Sequence, residues 1–279
     1  MILLKYIKDV DNALQKSRLH NKSVGFVPTM GALHDGHISL IKKSKLENDL
    51  TVCSIFVNPT QFNNAADLKK YPITTETDIN KLEKVGCDIL FMPSVEEMYP
   101  VNNEPEYYEL GMLETILEGS FRPGHFQGVC MIVDKLLAIV KPTSLYLGRK
   151  DYQQCMVIKK MMADKKYNIT LHICDTVREI DGLAMSSRNM RLNIEERQQA
   201  LCIIESLNLI KNNIVPGELT SIKNDATNFL EKNGYKVDYT EIADAETLEL
   251  QNEWDGKKKL VALVAAYLNT VRLIDNIVL

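Results

Sequence analysis

Short apolar runs alternate with helical stripes through the first 173 residues of this chain. The runs fall at 24–27, 52–57, 89–92, 144–147 and 169–173, each of strand length and each bounded by polar or turn-forming residues. Between them the apolar spacing lengthens to that of a helix. Ile38, Ile41 and Ser44 share one side of a predicted helix ending near Asn48. A second is predicted over 75–85. Val129, Ile132, Val133, Leu136, Leu137 and Val140 form a continuous stripe over 128–140, closed by Lys141-Pro142. Another helix begins near Asp151, with Cys155, Ile158 and Met162 in register. Such alternation predicts a parallel sheet with crossover helices, that is, an α/β, Rossmann-like N-terminal domain over 1–176. The pattern changes after about Val177. Asn193 can cap a helix with Glu196 three residues on, running to about Lys211. Pro216-Gly217 then breaks the chain before a further helix, and two strand-like runs follow at 236–242 and 260–266. The expectation for 177–279 is a smaller α+β domain.

The segment Pro28-Thr-Met-Gly-Ala-Leu-His-Asp-Gly-His37 follows the first apolar run directly. Gly31 and Gly36 permit a tight backbone there, and the helical spacing resumes immediately after. His34 and His37 therefore fall at a helix N-terminus, where free N–H groups and the dipole favour an anion and two imidazoles add donors. A nucleotide triphosphate suits that arrangement. Two histidines three apart also fit a zinc site or a purely structural helix cap; no Cys or carboxylate cluster stands beside them in the sequence to complete a tetrahedral set.

Charge narrows the partners. With 33 basic and 37 acidic residues among 279, the formal charge is -4, so there is no electrostatic footprint for nucleic acid or a membrane surface. Phosphate binding has to be local. The first residues are interrupted by charge too early for a signal-peptide core, and the apolar stretch 260–268 is too short to span a bilayer, so a cytoplasmic protein is expected. Six cysteines are widely spaced without a C-x-x-C pair, and most sit among apolar neighbours, the pattern of reduced core thiols.

Four more polar clusters stand at predicted strand ends or loops: Asn58-Pro-Thr-Gln-Phe62, Arg122-Pro-Gly-His-Phe-Gln-Gly128, Gly148-Arg-Lys-Asp-Tyr-Gln-Gln154 and Met185-Ser-Ser-Arg188. In open parallel sheets ligands bind outside the carboxyl ends of the strands, so the clusters converge on one polar site. Taken with Asp181-Gly-Leu-Ala-Met-Ser-Ser-Arg-Asn189 and Arg272-Leu-Ile-Asp-Asn276, these motifs make the whole chain resemble the pantoate:beta-alanine ligases of the His-x-Gly-His nucleotidyltransferase superfamily.

That resemblance implies a two-step reaction in which ATP and D-pantoate, with Mg2+, give pantoyl adenylate and pyrophosphate, and beta-alanine then displaces AMP. It places His34, His37 and Lys150 at the triphosphate as catalytic residues, His37 in the position of a proton donor. Met30, Gly31, Gly148, Arg149 and Asp151 would also line the nucleotide site, with Asp151 and Gly148 at the ribose and backbone groups of Val177 and Met185 at adenine. Ser186, Ser187 and Arg188 would close over the phosphates from the smaller domain. Gln61 and Gln154 would hold pantoate. An amide binds hydroxyls and a carboxylate without clamping the latter as arginine would. Met30, Phe62 and Val133 are the apolar wall for its methyl groups, although Val133 equally suits plain helix core. Asp78 is the magnesium candidate and also sits in a first helical turn, where acids are favoured without any metal. The resemblance further implies a homodimer.

Three positions depart from the family's habit: Ile73 stands where arginine is common, and Leu147 and Arg149 flank Gly148 in place of phenylalanine and an acidic or amide residue. Other readings stay open at this point. A sister nucleotidyltransferase would share the histidine turn but want more basic residues for a phosphorylated acceptor. A regulatory module would bind ATP without turnover, and an aminoacyl-tRNA synthetase would need an anticodon domain.

Overall fold

The computed structural model describes residues 1–63, 65–100 and 106–279. Its first sheet has six strands, β1 (Ile2–Leu4), β2 (Val24–Thr29), β3 (Leu50–Ile55), β4 (Ile89–Phe91), β5 (Ser144–Gly148) and β6 (Thr170–Cys174), in the order β1-β4-β3-β2-β5-β6. Every pairing is parallel. From β2 the chain adds β3 and β4 on one side, then returns to add β5 and β6 on the other. The order therefore reverses between β2 and β5, and the carboxyl ends there form the switch point where doubly wound sheets bind ligands. The crossovers carry α1 (Ile7–Leu19), α2 (Asp35–Glu47), α3 (Ala65–Lys69), α4 (Thr75–Lys84), α5 (Val95–Met98), α6 (Leu117–Phe121), α7 (His125–Val140) and α8 (Tyr152–Asp164).

Close packing of α2 on β2 depends on one missing side chain. A Cβ on Gly25 would lie 2.1 Å from Ser44 Oγ and 2.6 Å from Asn48 Nδ2, so only glycine lets this face of α2 reach the strand. Ser44 is fully buried and its hydroxyl sits 2.7 Å from that of Thr51. Around this contact Val27, Leu40, Ile41, Cys53, Leu90 and Tyr146 form a dry core. The sheet thus fixes where α2 begins.

A second body contains α9 (Ile194–Gln199), α10 (Cys202–Asn213), β7 (Gly217–Glu218), α11 (Thr220–Lys232), β8 (Tyr235–Asp244), β9 (Glu253–Trp254), β10 (Leu260–Leu268) and β11 (Val271–Val278). Its antiparallel sheet runs β11-β10-β8, and α10 and α11 pack upon it with Ile203, Leu207, Leu230, Ile242, Val264 and Leu273 in the core. β7 and β9 form a separate short ribbon. The architecture is α/β, a Rossmann-like parallel sheet with a smaller α+β C-terminal part.

The elements differ from expectation in instructive places. The single helix predicted from Asn193 to about Lys211 loosens at Ala200 and Leu201. Both keep right-handed helical dihedrals, but Leu201 N–H and Ile203 N–H bond three residues back, to Gln198 and Ala200. Two compact units emerge, Met1–Arg149 with Val157–Asp175, and Lys150–Met156 with Thr176–Leu279. The segment Lys150–Met156, expected within 1–176, thus belongs to the second unit. Asn276 Nδ2 donates to the Lys150 carbonyl at 2.8 Å, and Tyr152 Oη to the Ala245 carbonyl at 2.6 Å.

Candidate active site

β2 runs out at Thr29, whose hydroxyl donates to the Ser54 carbonyl of β3 at 2.7 Å and accepts from the Gly31 N–H at 3.2 Å. The next two residues then turn with φ of +82° at Gly31 and +48° at Ala32. A residue bearing a Cβ is strained there, so something must hold Ala32. That element is α4. The Asp78 carboxylate accepts from the Ala32 N–H and the Leu33 N–H, both at 2.8 Å, and from the Thr74 hydroxyl at 3.0 Å, while Lys81 Nζ donates to the Leu33 carbonyl at 2.5 Å. Asp78 and Lys81 lie one turn apart and so share a face of the helix. Asp78 is 1% exposed, which makes its charge-assisted bonds strong and their loss costly.

The turn delivers the chain to α2 with His34 as its N-cap residue. The His34 N–H points at His37 Nδ1 at 3.3 Å, and the two rings lie 4.0 Å apart at 34°. Because His37 Nδ1 faces a donor, its neutral ring carries the proton on Nε2. This places a side-chain N–H beside the positive end of α2, the arrangement expected to receive a phosphate or a developing oxyanion.

Gln61 closes the short helical turn Pro59–Gln61 and is 9% exposed. Its Oε1 accepts from Asn58 Nδ2 at 3.2 Å and its Nε2 donates to Met30 Sδ at 2.9 Å. A thioether is a weak acceptor, so a ligand oxygen would be the better partner for that N–H. The backbone under Gln61 is gripped from the start of α7 and the residue that caps the end of α6, where His125 Nδ1 and Arg122 Nη2 donate to its carbonyl at 2.8 and 3.4 Å. Gly128 makes the approach possible, since a Cβ there would lie 2.4 Å from the Thr60 carbonyl oxygen. Asn58 is fully buried and is oriented by Gly128 and Tyr99; its Nδ2 donates to the Gly128 carbonyl at 3.0 Å and its Oδ1 accepts from Tyr99 Oη at 2.8 Å. Burial pushes the Tyr99 phenol above its ordinary range, so it remains a donor. Asn58, Tyr99, Arg122 and His125 carried no assigned role in the sequence, yet they set the position of Gln61. The Asn-Pro-Thr-Gln and Arg-Pro-Gly-His clusters were visible; that one grips the other was not.

The first unit thus brings together Met30, Gly31, His34, His37, Gln61 and Asp78. Phe62 packs edge-on against Tyr71 with centroids 5.8 Å apart, and Val133 is buried in α7. Gly148 ends β5, with Arg149 next to it paired to Asp175 at 2.6 Å. Leu147 is buried and Ile73 is 78% exposed, so of the three departures from the family pattern Leu147 is core and Ile73 is surface. Ile73 also rims a cleft of about 250 Å³ whose lining includes Met30, Ala32, Phe56, Asp78 and Val95.

Lys150, Asp151, Gln154, Val177, Met185, Ser186, Ser187 and Arg188 belong to the second unit. Val177 and Met185 are paired across a tight hairpin, the Met185 N–H donating to the Val177 carbonyl at 3.0 Å, with a bridge between Arg178 and Ala184 inside it. Ser186 caps the following helical turn, Ser187–Arg191, its hydroxyl accepting from the Arg188 N–H at 3.3 Å.

Asp78 does not fit a resident magnesium site. Three donors already occupy a carboxylate with about four acceptor positions. Among the described residues no group of three or more His, Cys, Asp or Glu is arranged to hold a metal. Nor do Cys87 and Cys130 fit a nucleophile. Burial pushes Cys87 up to about 11 and Cys130 up to about 12, far from the thiolate.

The family model for pantoate-beta-alanine ligase matches residues 2–278. The chain belongs to the pantoate-beta-alanine ligase family. It is 45% identical to the pantothenate synthetase of Cytophaga hutchinsonii over 282 residues, covering 100% of this chain and 99% of that protein. The crystal structure of pantothenate synthetase from Thermus thermophilus superposes with a TM-score of 0.91 at 36% identity, covering 99% of each chain. The Francisella tularensis pantoate-beta-alanine ligase, complexed with beta-gamma ATP and beta-alanine, superposes at 0.80 with 40% identity over 99% of this chain and 97% of that one. Among the described residues no helix is long and apolar enough to cross a membrane.

Proposed function

We propose that this chain condenses D-pantoate with beta-alanine at the expense of ATP, through a pantoyl adenylate, releasing AMP and pyrophosphate. The observation that carries this reading is the Gln61 amide, buried and pre-set against Met30 on the same turn that leads to His34 and His37. An acid held there lies beside an anion-binding helix terminus. In the first step a pantoate carboxylate oxygen attacks the α-phosphorus, forming a P–O bond as the bond to pyrophosphate breaks. No protein nucleophile is required, and the residues position reactants and neutralise charge. His37 Nε2–H and His34 meet the charge that builds on the phosphates, and Lys150 supplies a fixed cation. Ser186, Ser187 and Arg188 bind the phosphates, Asp151 and Gly148 the ribose, and the 177–185 hairpin the adenine. Arg149 is committed to Asp175 and serves the rim of that site.

Gln61 and Gln154 hold pantoate, with Met30, Phe62 and Val133 toward its methyl groups. In the second step the beta-alanine nitrogen attacks the acyl carbon, the bond to AMP breaks and the nitrogen sheds a proton. Magnesium, arriving with the nucleotide, supplies charge neutralisation on the phosphates; Asp78 acts on the turn that presents the histidines rather than as its ligand. Buried thiols suit a reducing, cytoplasmic setting, and the working form is a homodimer, which light scattering of the purified protein tests.

The deciding experiment incubates the protein with ATP, magnesium, D-pantoate and beta-alanine, omitting each in turn, and follows products by mass spectrometry. Pantothenate with stoichiometric AMP, dependent on both acids, is expected. Bound ATP without AMP or pyrophosphate would refute the ligase in favour of a regulatory module. Pyrophosphate release with another acceptor would favour the sister transferase.

A further inference from the structure

The C-terminal motif Arg272-Leu-Ile-Asp-Asn276 takes no part in the chemistry above, yet two of its residues are among the most buried polar groups of the second unit. Asp275 is 3% exposed and Asn276 4%. Both lie on β11, where Asp275 follows Val271 and Leu273 on the core-facing side and Asn276 points to the other. A carboxylate in an apolar register is tolerated only with a partner.

Its partner is Arg178. The guanidinium meets Asp275 as a fork, Nη1 to Oδ2 at 2.6 Å and Nη2 to Oδ1 at 3.1 Å, and the same two nitrogens donate to the Gly182 carbonyl at 3.1 Å and the Asn276 carbonyl at 3.4 Å. Arg178 thereby ties the turn of the 177–185 hairpin to β11. On the opposite side of the strand, Asn276 Nδ2 donates to the Lys150 carbonyl at 2.8 Å. Asp275 also accepts the Asn276 N–H at 2.8 Å, so the two grips share a backbone. Two segments distant in sequence are thus set by two adjacent residues of one strand.

We propose that Asp275 and Asn276 are positioning residues for nucleotide recognition, Asn276 setting Lys150 and Asp275, through Arg178, setting the hairpin that presents Val177 and Met185. This rests on the ligase reading for the roles of Lys150 and the hairpin, but it makes its own prediction. The two grips serve different parts of ATP, phosphates in one case and adenine in the other.

Titration calorimetry on the full chain separates them, with ATP and inorganic triphosphate, each with magnesium, as probes. Asn276→Asp keeps the shape but turns a charged acceptor toward the Lys150 carbonyl in place of the donor, and should weaken both probes by at least about threefold, more than the loss of one hydrogen bond alone. Arg178→Lys keeps the charge and loses the fork, and should weaken ATP at least about threefold more than triphosphate. Lys223→Met is the control for plain destabilisation of the same unit, since Lys223 bonds Glu241, Gln251 and Asn252; its ATP affinity should hold within about twofold even as its unfolding midpoint drops. Unchanged ATP affinity in Asn276→Asp, or equal weakening in Lys223→Met, would overturn the inference. Should Asn276→Asp fail to fold, Asn276→Ser, smaller and still a donor, should bind ATP within about threefold of wild type while Asn276→Ala does not. Ligase turnover is read separately, so failure of the reaction and failure of the positioning role are distinguishable.

Discussion

Two turns in this protein carry polar residues assigned to phosphate, and they are held in opposite ways. The 29–34 turn of the first unit is fixed from beneath by a buried carboxylate, with Asp78 spanning two backbone N–H groups and Lys81 taking the next carbonyl. The 177–188 segment of the second unit is anchored by Arg178, which reaches the Gly182 carbonyl, but the two residues before Gly182 are open: Ile180 is fully exposed, and Asp181 is tied by an exposed pair to Arg197 at 2.9 Å. Buried charge-assisted bonds cannot be exchanged for water without loss, whereas exposed ones can. The first turn is therefore a preorganised receiver, and the second is the cheaper one to move.

Asp78→Ala is the strongest test of that contrast. It strands two buried N–H groups and releases the strained Ala32, so urea unfolding should lose about 2–6 kcal/mol. Asp78→Asn keeps one acceptor and should fall between. A loss below about 1 kcal/mol for Asp78→Ala would show that the turn stands without its clamp.

Catalysis provides the next test. His37→Ala should lower the ligase rate roughly 10²- to 10³-fold, the usual cost of one donor at developing charge. A near-normal rate would take His37 out of that role.

Asp78 also shows where reading the sequence ended. The β2-turn-α2 unit was legible because spacing switches from strand to helix across Gly31, and a parallel α/β sheet follows from five such alternations. What Asp78 does was not, because its partners at Ala32 and Leu33 lie 46 and 45 residues away. Position in a first helical turn is all that sequence exposes, and it serves a metal ligand and a backbone clamp equally well. Gly128 is similar. In the sequence it opens an apolar stripe; in the fold α7 begins at His125, and Gly128 is the gap that admits the Thr60 carbonyl. β1 and β11 were missed for another reason. Ile2–Leu4 is too short for any periodicity, and Val271–Val278 interrupts its apolar face with Asp275, a residue explained only by Arg178.

Gln61→Ala sharpens the division of labour around the rigid turn. The amide is assigned to the acid, so the pantoate KM should rise about tenfold while ATP binding holds. Gly128→Ala should move in the same direction, because its Cβ would push on the Pro59–Gln61 turn from α7. Equal losses for pantoate and ATP in titrations of Gln61→Ala would remove the assignment.

The smallest effect belongs to the open tip, and its pH dependence has a definite sign. The hydrogen bond from Arg197 holds the Asp181 carboxyl below its ordinary value of 3.8. A depressed acid stabilises the fold above its unfolded pKa, and that contribution is lost as pH falls through the folded one. Asp181→Asn should therefore lower the unfolding free energy by under about 1 kcal/mol at neutral pH, less in high salt. The gap to wild type should start to narrow near 3.8 and close only after the solution is acidified past the lower folded-state value, where wild-type Asp181 is itself neutral. Thermal unfolding of the two proteins across that range makes the comparison. If Asp181→Asn cost as much as Asp78→Ala, the tip would be as tightly built as the histidine turn, and the distinction between a fixed receiver and a movable one would fail.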